Sequence, residues 1–325
     1  MTASGPEIEA VRALNEQLKE MVLRTPIVRC AAVEEAIGGD TSVLGKLEFL
    51  QRTGTFKARG ALATLHSLSA DQLALGVTAV SAGNHAIATA FAAATLSTSA
   101  KVVMIRSANP ARIAACRDYG AEVVLADDVH EAFAIAEQIR ESEGRYFVHP
   151  FEGPHVALGT GTLGLEICEQ CDDFDAIIVP VGGGGLIGGI ANVVKRLRPQ
   201  CEVIGVEPRG ADTMYRSLQS GKPESIDKVR SIADSLGSPY ALPYSFGLAQ
   251  LHVDRMVLVE DLELRGMMGF LFRRMKIAVE PACAASTAAL LGPLREELKG
   301  KRVMLVMCGS NIDWDTFAEQ AEFDD

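Results

Sequence analysis

Positive charge is scarce in this chain. Its 31 Lys and Arg stand against 42 Asp and Glu, a formal net charge of -11, and the cations form no cluster. A surface of that sign repels nucleic-acid phosphate and anionic membrane alike, so neither is expected as a partner. Paired cysteines are lacking too. The seven cysteines are odd in number and scattered, which excludes a disulfide framework and leads us to expect a reduced, cytoplasmic protein. Cys168-x-x-Cys171 has no second ligand pair, so no zinc site is expected. No secretory leader is expected, because Met1 to Arg29 is charged and helix-like, with apolar Ile8, Val11, Leu14 and Leu18 at helical spacing. Internal repeats and low-complexity segments are absent. One long uncharged run exists, Ala176 to Val194, but Pro180 and six glycines interrupt it. It reads as a strand, a glycine loop and a helix start, not as a bilayer span.

What is present suits a large folded enzyme. The 325 residues are 48% hydrophobic and 22% charged, enough for a full core and too many for one ordinary domain. Strands are expected at Ser42–Leu47, Val77–Ser81, Lys101–Ile105, Glu122–Leu125, Ala176–Val181, Glu202–Val206 and Arg302–Met307. Helical patterns follow most of them, at Gly83–Leu96, Pro110–Tyr119, Val129–Ser142, Gly159–Cys171, Leu186–Leu197 and Ser286–Leu291. This alternation gives an α/β fold of two domains, each an open, mostly parallel sheet flanked by helices. Residues 76–149 form a small domain inserted in a larger one built from 1–75 and 150–325, with the active site in the cleft between them. The chain ends soon after its last strand, so no appended regulatory domain is expected. Met267, Met268 and Met275 are expected to fill gaps in the core, Trp314 to pack near the C-terminus, and Glu260-Asp261 and Glu296-Glu297 to lie on solvated faces.

Four constellations carry chemistry. Gly54-Thr55-Phe56-Lys57 places a lysine at the start of a helix, Ala58–Leu68. There the helix dipole disfavours the ammonium and lowers its pKa, which suits an amine nucleophile. Ser81-Ala82-Gly83-Asn84-His85 follows a strand and opens a helix, presenting backbone N–H groups to an anion such as a carboxylate. Gly182-Gly183-Gly184-Gly185 lies between a strand and a helix. Without side chains its N–H groups can surround a phosphate, and no structural need for four glycines in a row is evident. No Lys-Ser/Thr pair follows, so it is no nucleotide P-loop. Cys308-Gly309-Ser310-Asn311 ends the strand Arg302–Met307, where open α/β sheets bind ligands. Two rival readings stand beside this one. Gly183, Gly185 and Gly188 also satisfy G-x-G-x-x-G, with Glu207 near the place of a ribose-binding acid, which would make an NAD-dependent oxidoreductase. The other is a protein that binds a phosphate ligand without turnover.

Taken together and in order, Thr53 to Lys57, Ser81 to His85, the four glycines, Gly205-Val206-Glu207-Pro208, Glu280-Pro281 and Cys308 to Asn311 resemble the threonine dehydratase and serine racemase family, over nearly the whole chain. The resemblance implies a tryptophan-synthase-β type of fold and pyridoxal 5'-phosphate as cofactor. It implies that Lys57, beside Phe56, carries the cofactor. Asn84 would bond the ring hydroxyl, Gly182 to Gly185 the phosphate and Cys308 the pyridine nitrogen. The turn of Ser81, Ala82, Gly83 and His85 would hold the substrate carboxylate. The expected reaction is β-elimination from a small hydroxy amino acid such as L-threonine or L-serine, giving a 2-oxo acid and ammonia, in a homodimer. A hydroxyectoine-derived amino acid and 3-hydroxyaspartate are the alternative substrates. Four positions depart from the family pattern. Ala82 replaces the serine by which racemases move a proton on the second face, which argues for a dehydratase. Cys308 replaces a serine. Thr213 replaces an acid beside Glu207 and the Ala211 carbonyl, so no metal is expected there. Ser235 replaces a glycine. With the stretch Val206 to Thr213, these features look most like the hydroxyectoine-utilisation dehydratases.

Overall fold

The computed structural model describes residues 4–322. Among them, ten strands form two sheets. They are β1 (Ile27–Arg29), β2 (Ser42–Leu47), β3 (Val77–Val80), β4 (Ala100–Ile105), β5 (Glu122–Ala126), β6 (Tyr146–Phe147), β7 (Ala176–Pro180), β8 (Glu202–Pro208), β9 (Arg255–Val259) and β10 (Arg302–Met307). The larger sheet has the order β1-β2-β10-β7-β8-β9 and the smaller β5-β4-β3-β6. Every pairing is parallel except β1 with β2. The central strands β7 and β10 are buried along nearly their whole length. Continuous apolar runs such as AIIVP and VMLVM therefore read as parallel strands covered on both faces, not as alternating ones.

The seven strands expected from sequence are all present. β1, β6 and β9 were not expected, being short or only half-buried. The helices Pro154–Gln170 and Pro281–Leu291 each begin five residues before the apolar pattern suggested, at a proline in the first turn. The smaller sheet lies wholly within 77–147. Its core, however, draws in Leu14, Leu18 and the face Ala58–Leu65 of the helix Lys57–His66. That helix is thus packed between the helices Asn84–Thr95 and Pro154–Gln170. It touches the helix Pro154–Gln170 so closely that a Cβ on Gly159 would fall within 3.0 Å of the Arg59 backbone. Trp314, near the C-terminus, packs by stacking on Phe317 and is otherwise 67% exposed. Its helix, Trp314–Gln320, is short and N-capped by Asp313, and turns the indole outward.

Candidate active site

Three loops at the carboxyl ends of parallel strands converge: Ser81–Gly83 after β3, Val181–Gly184 after β7 and Cys308–Asn311 after β10. Beside them lies a cleft open to solvent, walled by Lys57, Asn84, Gly182–Gly185, Ser235, Glu280 and Cys308. Ligands sit at this edge of an α/β sheet because the loops there are free to vary and the helix N-termini point into it.

Lys57 is the first residue of its helix. Its N–H donates to Thr55 Oγ1 (3.0 Å), the Phe56 N–H donates to the Cys308 carbonyl (3.2 Å), and Thr55 pairs with Gly309. The lysine turn is thereby stitched to the end of β10. The Lys57 amine donates to the Pro150 carbonyl at 2.6 Å. Its pKa is lowered to about 8, as expected in direction. The dominant cause is burial, not the helix terminus; the nearby Cys308 and Glu280 work in the opposite sense. A second, smaller pocket opens on the other side of Lys57, between His85, His149 and Pro150.

Each position of the glycine loop has a packing reason, contrary to the expectation that only a phosphate could explain it. A Cβ on Gly182 would meet the Leu236 backbone at 3.1 Å, and one on Gly185 the Phe151 carbonyl at 2.6 Å. One on Gly183 would enter the face of the Phe151 ring, and Gly184 has a left-handed φ of 89°. The phosphate reading survives beside this. The loop is a cradle that no side chain can fill, at the start of the helix Gly185–Leu197. The first N–H groups of any helix lack partners within it and carry its positive end.

Cys308 is buried, and its thiol is pushed well above the ordinary cysteine range, first by a hydrogen bond with Cys283 and then by burial. It is a neutral thiol at any working pH. Asn84 is held on all sides. Its Nδ2 donates to Glu280 (2.9 and 3.1 Å) and to Ser235 Oγ (3.1 Å), and its Oδ1 accepts from Asn311 Nδ2 (2.8 Å). Glu280 is fully buried, with its pKa raised to about 7, chiefly by burial, while Arg112 pulls it down. Arg112, from the helix Pro110–Asp118 beside the smaller sheet, reaches across to pair with Asp234 and donates to the Asn311 carbonyl (3.0 Å). Glu280, Arg112, Asp234 and Phe151 were not among the expected site residues. Their partners lie 122 and 196 positions away for Arg112–Asp234 and Asn84–Glu280, and no local pattern signals such pairings. A buried acid just before a proline-started helix was the one available hint.

In the Ser81–His85 turn, Gly83 N–H already donates to Ser81 Oγ (3.1 Å), and Ala82 offers no proton. His85 lies within the small-sheet core, with Nε2 at 2.8 Å from the Val148 carbonyl and its pKa lowered to about 3 by burial. It brings no positive charge to a carboxylate, which leaves the backbone N–H groups of this turn and the Ser81 hydroxyl as its available donors. Glu207 is buried and accepts N–H bonds from Met214 (2.9 Å) and Tyr215 (2.7 Å). It thereby closes the start of the helix Thr213–Ser220, while Thr213 Oγ1 donates to the Ser238 carbonyl (2.7 Å). Glu207 is engaged there and is not offered to a ribose, which removes the structural basis of the NAD reading. Among the described residues no group of three or more acids, histidines or cysteines is placed to hold a metal ion. No helix among them is long and apolar enough to cross a membrane.

A cleft with a side-chain-free anion cradle at one end, a buried amine in its wall and a neutral thiol opposite fits pyridoxal phosphate. The chain belongs to the family of pyridoxal-phosphate-dependent enzymes, whose pattern matches residues 18–309. It is an enzyme of that family, and the NAD alternative falls. Among its relatives is the phenylserine dehydratase of Ralstonia pickettii, 52% identical over 98% of this chain and 97% of that one. The catabolic L-threonine dehydratase of Escherichia coli is 37% identical over 94% and 93%. The structure of maize serine racemase superposes with a TM-score of 0.92 at 28% identity, covering 97% of both chains.

Proposed function

We propose that this enzyme removes the β-hydroxyl of a 3-hydroxy amino acid and releases ammonia and a 2-oxo acid. The observation that carries the reading is Lys57, a buried amine with a pKa near 8 across the cleft from the glycine loop. Bound pyridoxal phosphate supplies the electron sink for the bond broken at the α-carbon. Lys57 would hold the cofactor, and its Nζ would be the base that takes the α-proton. The N–H groups of Gly182 to Gly185 hold the phosphate. Asn84, kept in one orientation by Glu280, Ser235 and Asn311, would hydrogen-bond the ring hydroxyl. Cys308, which keeps its proton, would face the ring nitrogen as a neutral donor. A weak sink favours expulsion of the β-hydroxyl over reprotonation. Ala82 supports the same outcome, because the second face has no acid to return a proton.

Threonine and serine are the substrates the motifs suggest. A 3-aryl substrate is the second reading, supported by the 52% identity with phenylserine dehydratase over nearly both full chains. Purified holoenzyme should release 2-oxo acid from at least one of serine, threonine, 3-phenylserine and 3-hydroxyaspartate. The ranking of kcat/KM decides between the two readings, and hydroxyectoine-derived amino acids extend the panel. Failure with every 3-hydroxy amino acid, in protein that carries the cofactor, would overturn the proposal. We further propose a cytoplasmic homodimer. The described cysteines are all free, six of the seven buried, which suits a reducing compartment; light scattering tests the dimer.

A further inference from the structure

We infer that four buried charges behind the active site, Lys46, Glu48, Arg59 and Glu166, are positioning residues that set where Lys57 stands. All four side chains are at most 2% exposed. Arg59 lies in the first turn of the Lys57 helix. Its guanidinium meets Glu48 with two bonds of 2.8 Å and Glu166 with bonds of 2.8 and 3.0 Å. It also donates to Thr162 Oγ1 (3.1 Å) and the Leu23 carbonyl (3.2 Å). Lys46 Nζ adds Glu166 (2.6 Å), Gln170 (2.8 Å) and the Thr25 carbonyl (2.8 Å), and Thr25 Oγ1 donates to Glu48 (2.5 Å). Two cations and two anions cancel, so the cluster is neutral as a whole.

Its geometry answers a problem posed by the Lys57 helix. That helix has cations at positions one and three, no acid in its first turn and no side-chain cap, the reverse of what a helix N-terminus favours. The missing carboxylates come from Glu48, just after β2, and Glu166, on the helix Pro154–Gln170. Bidentate bonds on two sides fix the first turn against both sliding and rotation. The Lys57 backbone, two residues before Arg59, is then held between this cluster and the end of β10. A reacting amine displaced by about 1 Å loses on the order of 100-fold in rate.

The inference rests on the reading of Lys57 as the reacting amine, which Lys57→Ala tests separately. The test here is the double variant Lys46→Met/Glu166→Gln, which leaves Arg59 with Glu48 and keeps the interior neutral. The first readout is the reactivity of Lys57 in the cofactor-free chain. Acylation with acetic anhydride is followed against pH by mass spectrometry, with exposed Lys222 as internal control. In the parent, Lys57 reacts with a midpoint near pH 8. In the folded double variant water reaches the loosened turn and the midpoint climbs towards the ordinary lysine range, while Lys222 is unchanged. In the holoenzyme kcat falls roughly 10- to 100-fold with KM within about twofold. A folded double variant with the parent's midpoint and kcat overturns the inference, whatever its melting temperature. If the double variant does not fold, Thr162→Val decides. It removes one bond to Arg59 and no charge, and it must shift the midpoint in the same direction and lower kcat; parental values overturn the inference.

Discussion

The glycine loop has two explanations, close packing against Phe151 and close approach of a phosphate, and a pair of substitutions separates them. A Cβ on Gly183 would sit within 3.0 Å of Cγ, Cδ1 and Cδ2 of the Phe151 ring. Carbon atoms rest at about 3.5–4.0 Å, so the ring must recede by roughly 1 Å. The ring is held by His149 edge-on at 4.7 Å and by Tyr240 at 6.1 Å, and it cannot recede freely. Gly183→Ala should therefore cost about 1–3 kcal/mol, the usual range for overpacking. Phe151→Ala, at a half-buried position, should cost about 2 kcal/mol. In the double variant the new methyl enters the space the ring has left, so the two costs should fall short of additivity by about 1–2 kcal/mol. Gly185→Ala is the control, because its Cβ would strike the Phe151 carbonyl and Cα, at 2.6 and 2.8 Å. Truncating the ring relieves neither. Urea unfolding of the cofactor-free chain measures the three energies, and titration with pyridoxal phosphate measures binding. If stability recovers in Gly183→Ala/Phe151→Ala while cofactor affinity stays low, the glycine serves the phosphate. Recovery of both would show that Gly183 exists for Phe151 alone. Strict additivity would refute the packing argument.

Three further outcomes are expected. Lys57→Ala should abolish turnover and leave pyridoxal phosphate bound only non-covalently; a borohydride-stable adduct on Lys46 or Lys101 in the parent would refute the assignment. Cys308→Ser should keep most activity, whereas Cys308→Asp should divert flux to pyridoxamine phosphate. An ionised carboxylate stabilises the protonated ring nitrogen, so an unaltered product distribution in Cys308→Asp would show that this residue does not meet the ring. The cofactor-free chain should have a stability plateau between about pH 4.5 and 6.5. His85 and His149, lowered to about 3 and 4 from 6.5, withhold protons that the unfolded chain binds, so stability falls as pH drops below that window. Glu280 and Glu207, raised to about 7 and 8 from 4.5, keep protons that the unfolded chain releases, so stability falls as pH rises above it. Within the window the two pairs offset, and a melting temperature that climbs steadily from pH 4.5 to 8 would contradict this.

The parts of the site that were legible in the sequence are those made by a few adjacent residues. A lysine after Gly-Thr-Phe, four glycines after an apolar strand and a polar tetrapeptide after VMLVM each announce a strand end or helix start, because turn chemistry is local. Arg112 and Asp234, or Asn84 and Glu280, meet only because two sheets face each other, and no spacing encodes that. β9 escaped notice because its residues are mostly half-buried, and β1 because three residues show no period. The buried cluster left a faint trace. Lys46 interrupts the apolar strand Ser42–Leu47, and Arg59 sits on the all-buried face Ala58–Leu65. A cation in such a place demands a buried carboxylate, but the sequence does not say which.

The ionisation states of the site bear on how the cofactor is held. Among the described residues Lys57 is the one cationic side chain lining the cleft, and with its pKa lowered to about 8 it gives up its proton more easily than an ordinary lysine. Cys308 stays protonated, and Glu280, with a pKa near 7, is poised between its two forms. A phosphate dianion entering this cleft therefore meets no lysine or arginine in the glycine loop. Its charge must be met by backbone N–H groups and the positive end of the helix Gly185–Leu197. Dipoles fixed in the fold cannot be lost by titration, so phosphate affinity should vary little over the range in which Lys57 changes charge. On the proposed assignment the amine would then be free to serve as a base, because the phosphate would not depend on it as a counter-ion.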